Sequence, residues 1–550
     1  MIKSKIFDDL IEVLEELDLE YTENFSVEIP NNVEHGDFSS NVALLNAKLN
    51  KMAPRDLAEK FVEIFAKKRY YKKVEIAGPG FINFKLANSV FHKNLIDIVE
   101  KKKKFAASKH GKKQRILLEF ISANPTGPLN VVSARAGAFG DTLASIMRHV
   151  GYDVFTEFYV NDAGNQVDIL AESLELRYRE LHGERIDEFP PEAYHGEYLK
   201  DLASQLNSAE GSKLFHCTEN DRMEKMRNFA LKKIQAMQYE SLERFGVHFN
   251  NWMSERKLRK DGILEEALSY LAEAGCTYEK DEAIWFNSSQ FGDIKDRVLI
   301  KADGNPTYLV PDIAYHITKY NRAYDVLIDV LGPDHHGHIS KLRAAMKALE
   351  LDASKLEVVY LQHINLIQNG EVVKMSKRAG RIVTLNDLID EVGKDAARYF
   401  FIDRKPSAHL DFDMELAKKQ SSENPVFYCQ YAYARINSIM KKAKKAKISL
   451  KDFDTKNLRK LNKDEELRLI KKMLELKSIL IGAAEHREPH RLSGYLHELA
   501  GMFHKYYAKY HIIDEKRIEM TQARLYLCSA VKNVIGLALD LMGISTPQKM

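Results

Sequence analysis

The segment from Arg115 to Val160 constrains this chain more than any other. Ile116-Leu117-Leu118-Glu119-Phe120-Ile121 is a short, mostly apolar run, suited to a strand buried on both faces of a parallel sheet. Ser122-Ala123-Asn124-Pro125-Thr126-Gly127-Pro128 follows, and its Pro, Gly and Asn content reads as a loop. A helical stretch over about 134 to 149 comes next, with small residues at its start, and Tyr152 to Val160 alternates as a strand does. Strand, loop, helix and strand make a βαβ unit, the building block of a nucleotide-binding sheet. The small residues early in the helix would let a ligand or another backbone approach closely.

The rest of the chain is organised around that unit. Leu10, Ile11, Leu14 and Leu17 recur at helical spacing, and Val74-Glu75-Ile76 and Phe81-Ile82-Asn83-Phe84 read as strands around the turn Gly78-Pro79-Gly80. The first hundred or so residues are therefore expected to be a small α+β unit. The stretch from about 185 to 290 is polar and reads as a helical insertion. Sheet signals return at Arg297-Val298-Leu299-Ile300, at Val326 to Leu331 and at Leu356 to Leu361, and beyond Pro425 the chain reads as helices. Lys441, Lys442, Lys444, Lys445 and Lys447, near Tyr428, Tyr431 and Tyr433, form a basic and aromatic mix suited to RNA.

Composition excludes several classes. A length of 550 residues predicts roughly three to four domains. With 45% apolar and 29% charged residues the chain is globular rather than disordered. The four cysteines, Cys217, Cys276, Cys429 and Cys528, form no CxxC pair, which excludes a disulfide scaffold or zinc knuckle and predicts a reducing compartment. No apolar run approaches the ~18 residues of a membrane span, and the N-terminus turns acidic where a signal peptide would turn apolar. A net charge of +3 excludes a uniformly basic coat but leaves room for local basic patches.

The usual phosphate loops, GxxxxGK[ST] and GxGxxG, are missing. Another source of positive charge is Lys374-Met375-Ser376-Lys377-Arg378-Ala379-Gly380, on a loop before a helix expected near Asn386. Two amines there could clamp a triphosphate and neutralise charge as pyrophosphate leaves, and Gly380 would let the loop close and open. His335, His336 and His338 have metal-like spacing, but the glycine-rich strand end suits a ligand-facing loop better, and no metal site is predicted. Pro489 between His486 and His490 spoils a helical metal site there.

These strings together resemble the class I aminoacyl-tRNA synthetases, and within them the arginyl branch. Gly36 to Ala43 and Ala77 to Asn83 are similar to that branch's extra N-terminal domain, and Glu119 to Leu129 to its first strand and active-site loop. Tyr159 to Gln166, Tyr308 to Tyr315 and Gly332 to His338 are similar to its later pocket segments, and Asn424 to Arg435 to its anticodon-binding domain. The resemblance implies an α/β fold: a Rossmann-like parallel sheet, an α+β N-terminal domain and an all-α C-terminal domain. It divides the chain into a tRNA-contacting domain (1–110), a catalytic domain (111–400) with its insertion at about 185–290, a connecting segment (401–424) and an anticodon-binding domain (425–550). It implies ligation of L-arginine to tRNA(Arg) through an arginyl-adenylate, with ATP and Mg²⁺, by a cytoplasmic monomer. By the same carry-over, Glu119, Asn124, Tyr308, Asp312, Glu255 and His335 contact arginine. Asn130, Ser133, His338, His363, Lys374, Met375, Ser376 and Lys377 contact ATP, with Lys374, Lys377, Asn130 and Ser133 catalytic.

One departure stands out. The positions matching the family's paired histidines read Asn130-Val131-Val132-Ser133. Asn130 can still donate an amide hydrogen bond and Ser133 a hydroxyl. The helix N-terminus near Ser133 is expected to offer backbone amides to an anion, and Lys374 and Lys377 to carry more of the load. The rival readings are a tRNA-binding relative without activity and a nucleotidyltransferase of another substrate; the latter leaves the C-terminal helices unexplained.

Overall fold

The βαβ unit grows into a five-stranded parallel sheet in the computed structural model, which describes residues 2–30, 32–186, 188–335, 337–373, 383–451 and 453–550. Its strands are β1 (Arg115–Glu119), β2 (Asp153–Val160), β3 (Asn251–Ser254), β4 (Val326–Leu331) and β5 (Leu356–Tyr360), in the spatial order β5-β4-β1-β2-β3. All four pairings are parallel. The order reverses between β1 and β4, the place where open α/β sheets take their ligands.

Helix α1 (Val131–His149) follows β1 and starts earlier than its spacing predicts, because Asn130 caps it. The glycines early in α1 admit this chain's own side chains. A Cβ on Gly140 would lie 2.3 Å from the Phe120 ring, and one on Gly137 would lie 3.1 Å from Ile121 Cδ1. Helices α2 (Asn165–Leu181), α3 (Tyr198–Glu210) and α4 (Glu219–Phe245) pack around a core of Leu170, Leu174, Tyr178, Leu202 and Ile234. Helix α5 (Leu309–Asn321) precedes β4.

The stretch 185–290 is not the uniformly helical insertion the sequence predicts. Asn251–Ser254 is an edge strand of the parallel sheet, with Trp252 stacked 4.3 Å from Phe158. Thr277–Lys280 and Ala283–Phe286 form a hairpin whose third, antiparallel partner is Arg297–Ile300, which therefore lies outside the parallel sheet. These strands are four residues each, too short and too mixed to show a period of two. The expected connecting segment 401–424 holds Leu410–Asp413, paired in parallel with Ile364–Gln368. After Pro425 come the helices Pro425–Lys445, Asp464–Glu485, His490–Lys509 and Ile518–Leu541.

The chain divides into two compact units, Met1–Phe105 with Ile439–Leu474 and Lys505–Asn533, and Ala106–Ser438 with Glu475–His504 and Val534–Met550. In the first, the strands Val27–Glu28, Phe38–Ser40, Phe81–Leu86 and Tyr71–Ala77 make an antiparallel sheet in that order. Asp9 is buried there and accepts from Lys5 at 2.9 Å, Lys68 at 2.9 Å and the Tyr71 hydroxyl at 2.6 Å. Burial raises the Asp9 pKa, but these three donors outweigh it and leave it lowered. In the second unit the buried Arg398 donates to the carbonyl of Met542 at 2.7 Å and to Asp141 Oδ2 at 2.5 Å.

Gly140→Ala should lower the urea midpoint of the second unit, by an amount worth about 1–3 kcal/mol for forcing a methyl into the Phe120 ring. Gly137→Ala should cost less, because the flexible end of Ile121 can move. Parallel denaturation curves check both.

Candidate active site

At one level of the parallel sheet three carboxylates stand side by side. Asp329 of β4 is in register with Glu119 of β1, and Glu119 with Glu157 of β2. Like charges so placed repel, and burial makes each costlier. Helix α5 and the residue after it answer with cations. Lys319 Nζ, fully buried, donates to Glu119 Oε2 at 2.5 Å and to Asp329 Oδ1 at 2.7 Å. Arg322 holds both oxygens of Glu157, at 2.6 and 2.8 Å, and the Tyr315 hydroxyl adds a bond of 2.8 Å. His316 Nε2 lies 3.0 Å from Asp329 Oδ2. Burial alone would depress the Lys319 pKa, but Asp329 and Glu119 more than offset it and raise it. Burial likewise opposes ionisation of Asp329, and Lys319 and His316 hold its pKa well down.

A cleft of about 590 Å³ opens beside this row, at the carboxyl ends of β1 and β4. One wall is the loop after β1. Gln238 of α4 donates to the carbonyls of Asn124 at 3.1 Å and Gly127 at 2.9 Å, and the Tyr198 hydroxyl donates to the Thr126 carbonyl at 2.5 Å. Asn124 Nδ2 donates to Gln166 Oε1 at 2.6 Å. Asn130 then caps α1: its Oδ1 accepts from the backbone amides of Val132 at 3.0 Å and Ser133 at 3.1 Å. The amides expected to face an anion are thus already taken by Asn130, and that expectation is corrected. The opposite face of its amide, Nδ2, has no partner among the described residues.

The far wall carries two more carboxylates. Glu255 begins a short helix, Glu255–Lys260, and is buried. Arg259 donates to its Oε1 at 2.9 and 2.6 Å, and Asn161, its amide assigned from these surroundings, donates to Oε2 at 2.8 Å. Burial pushes the Glu255 pKa up, and Arg259 only partly counters it. Asp312, in the first turn of α5, lies 2.6 Å from His338 Nε2. Tyr308 precedes that helix and is 72% exposed over the cleft.

The cleft brings together Glu119, Asn124, Asn130, Ser133, Glu255, Tyr308, Asp312, His335 and His338. It does not include His363, which is exposed with its ring 6.2 Å from that of His409. Lys374, Met375, Ser376 and Lys377 lie outside the described residues. The helix after them starts at Leu385, capped by Thr384, one residue before the expected position. Sequence reasoning missed Lys319, Asp329, Glu157, Arg322 and the segment Tyr194–Tyr198. A readable signal for two of these is a charge inside an apolar strand run, at Glu157 and Asp329, since a buried charge requires a partner.

Residues 94–438 match the family model for the catalytic domain of class I (R) tRNA synthetases. The arginyl tRNA synthetase N terminal domain model matches residues 2–86, and the DALR anticodon binding domain model residues 429–550. The chain belongs to the arginyl-tRNA synthetase family. The arginine–tRNA ligase of Syntrophotalea carbinolica is 43% identical over 526 residues, covering 96% of this chain and 95% of that one. That of Staphylococcus epidermidis is 43% identical over 528 residues, covering 95% and 94%. A Campylobacter jejuni structure assigned as an arginyl-tRNA synthetase is 36% identical, with a TM-score of 0.78 over 84% of this chain and 100% of that one. The Thermus thermophilus arginyl-tRNA synthetase, at 20% identity, shares the fold with a TM-score of 0.75 over 100% of both chains. The parallel sheet and the helical C-terminal region are those of this class I synthetase fold.

In this synthetase the Glu255 carboxylate should limit stability. Its pKa in the fold is raised above the ordinary 4.5. The ionised form therefore carries a penalty that is absent below about pH 4.5 and complete above the raised value. Glu255→Gln should raise the thermal midpoint at pH 7, and the gain should vanish at pH 4; calorimetry at the two pH values checks the sign.

Proposed function

We propose that this synthetase joins L-arginine to tRNA(Arg) at the expense of ATP, through an arginyl-adenylate. The match of residues 94–438 to the class I (R) catalytic domain carries this reading. An arginine carboxylate oxygen attacks the α-phosphorus, the bond to the β-phosphate breaks, and pyrophosphate leaves. The terminal ribose hydroxyl of tRNA then attacks the activated carbonyl, and AMP departs. No protein nucleophile is required; the chain's part is to orient the reactants and stabilise charge.

The cleft offers what the amino acid needs. A guanidinium favours planar, two-point carboxylate contacts, and Asp312 and Glu255 supply carboxylates on one wall, with Tyr308 above them. Both already have partners, the His338 imidazole and the Arg259 guanidinium, so arginine enters by sharing or displacing those partners. Glu119 and Asn124 serve the α-amino end, and His335 closes that side. Asn130, Ser133, His338 and His363, with Lys374, Met375, Ser376 and Lys377, serve the nucleotide, the two lysines neutralising the departing pyrophosphate. Mg²⁺ arrives with ATP, on phosphate oxygens and water.

We further read the 425–550 region as the tRNA anticodon-binding part, the N-terminal region as a second tRNA contact, and the chain as a cytoplasmic monomer. No helix among the described residues is long and apolar enough to cross a membrane.

Pyrophosphate exchange with arginine, ATP and tRNA tests the reading. Asp312→Asn should raise the arginine KM about 10- to 100-fold, as expected for losing a charged hydrogen-bond partner, and leave the ATP KM within about twofold. An unchanged arginine KM would overturn the pocket assignment. Replacing Lys374 and Lys377 together with Ala should lower aminoacylation about a hundredfold or more; full-speed charging would remove the lysines from the mechanism.

A further inference from the structure

The strap between α2 and α3 puts a histidine on the cleft wall. Tyr194, His195, Gly196 and Tyr198 line the same cleft as Asn130 and Ser133. The strap is fastened on both sides of His195. Before it, the Tyr194 amide donates to Ser173 Oγ of α2 at 3.0 Å. After it, the Tyr198 hydroxyl bonds the Thr126 carbonyl, four residues ahead of Asn130. Two glycines make this possible: a Cβ on Gly196 would lie 2.3 Å from the Tyr198 ring, and one on Gly127 would lie 3.2 Å from it. The His195 ring leans on Phe189, 5.5 Å between centroids, and the Arg177 guanidinium covers Phe189 at 4.0 Å.

Of the three other histidines of the cleft, His316 is held by Asp329 and His338 by Asp312, and the His335 ring stands against that of His338, 6.4 Å between centroids. His195 is half-buried and makes no hydrogen bond among the described residues. A half-buried imidazole with both nitrogens open, held in place by its neighbours, is equipped to bind an anionic oxygen. The start of α1 lacks such a group: Asn130 spends its Oδ1 on capping and keeps only a neutral amide Nδ2, and Ser133 offers only a hydroxyl.

We propose that His195 supplies the imidazole that contacts the ATP phosphates, taking the place of the side chains missing from Asn130-Val131-Val132-Ser133. This rests on the synthetase reading above. The strap then has a double use, as a wall that excludes water and as the carrier of a donor.

Pyrophosphate exchange by the full chain, with arginine, ATP and tRNA present, tests it. His195→Ala should lower kcat/KM for ATP about a hundredfold, with the arginine KM within about twofold and the thermal midpoint unchanged. His195→Gln, which keeps a donor, should recover about tenfold of that loss. In a background carrying N130H, V132G and S133H, the His195→Ala loss should shrink to about threefold or less, because the two groups would share one task. A His195→Ala chain within about threefold of the parent, or one losing the same factor in both backgrounds, overturns the proposal. A parent chain with no arginine-dependent exchange overturns the synthetase reading instead.

Discussion

Three adjacent parallel strands each place a carboxylate at the same level, and the arrangement stands only because Lys319 and Arg322 come from one short stretch of chain to meet them. Alone, Asp329, Glu119 and Glu157 would repel one another across the sheet and resist burial. Lys319 bridges the first two and Arg322 takes the third with both oxygens. Removing one member of such a set leaves uncompensated charge and costs on the order of 3–5 kcal/mol. Both cations lie at the C-terminal end of α5, where the helix dipole also favours positive charge. The first turn of the same helix carries Asp312. One helix thus neutralises the sheet at its far end and presents a carboxylate to the cleft at its near end, so the position of Asp312 is tied to the ion pairs beneath it.

What could be read in the chain beforehand follows from how local each signal is. The run Ile116–Leu118 and the turn-rich loop after Glu119 announce a buried strand and its loop within a few residues. Helix α1 was legible in kind but not in its start, because Val131 and Val132 carry no helical spacing until Asn130 is recognised as a cap. Strand β3 has four residues, and only its Trp252 stacked on Phe158 reveals that it belongs to the sheet. In the cleft, residues inside contiguous strings were legible through family resemblance. Lys319 was not: its partner Glu119 is 200 positions away, and a lysine on a helix reads as solvated. His195 sits in a polar connection that carries no periodic pattern, and only the fold shows that the Tyr198 anchor turns it toward the cleft.

The segment Asn130–Ser133 shows how a helix cap can serve stability while occupying amides that could hold an anion. Asparagine is among the best residues at a helix N-cap, worth about 1 kcal/mol over a residue that cannot accept there. Here it accepts from two amides of the first turn. Those same amides, unoccupied, would be a site for an anion. The cap therefore closes an electrostatic feature while securing the helix.

Glu255 shows the opposite bias. A buried carboxyl with a raised pKa is a worse component of the empty fold than a neutral amide would be, and under the proposed arginine contact it would gain a second cation beside Arg259. A guanidinium at that place would draw the carboxyl back toward ionisation. Binding would thus recover free energy that folding gives up there, and the same coupling would make arginine affinity fall as protons compete for Glu255. Asn130 and Glu255 line one cleft, the first with its carbonyl oxygen committed to capping a helix, the second with its carboxyl disfavoured as an anion by burial.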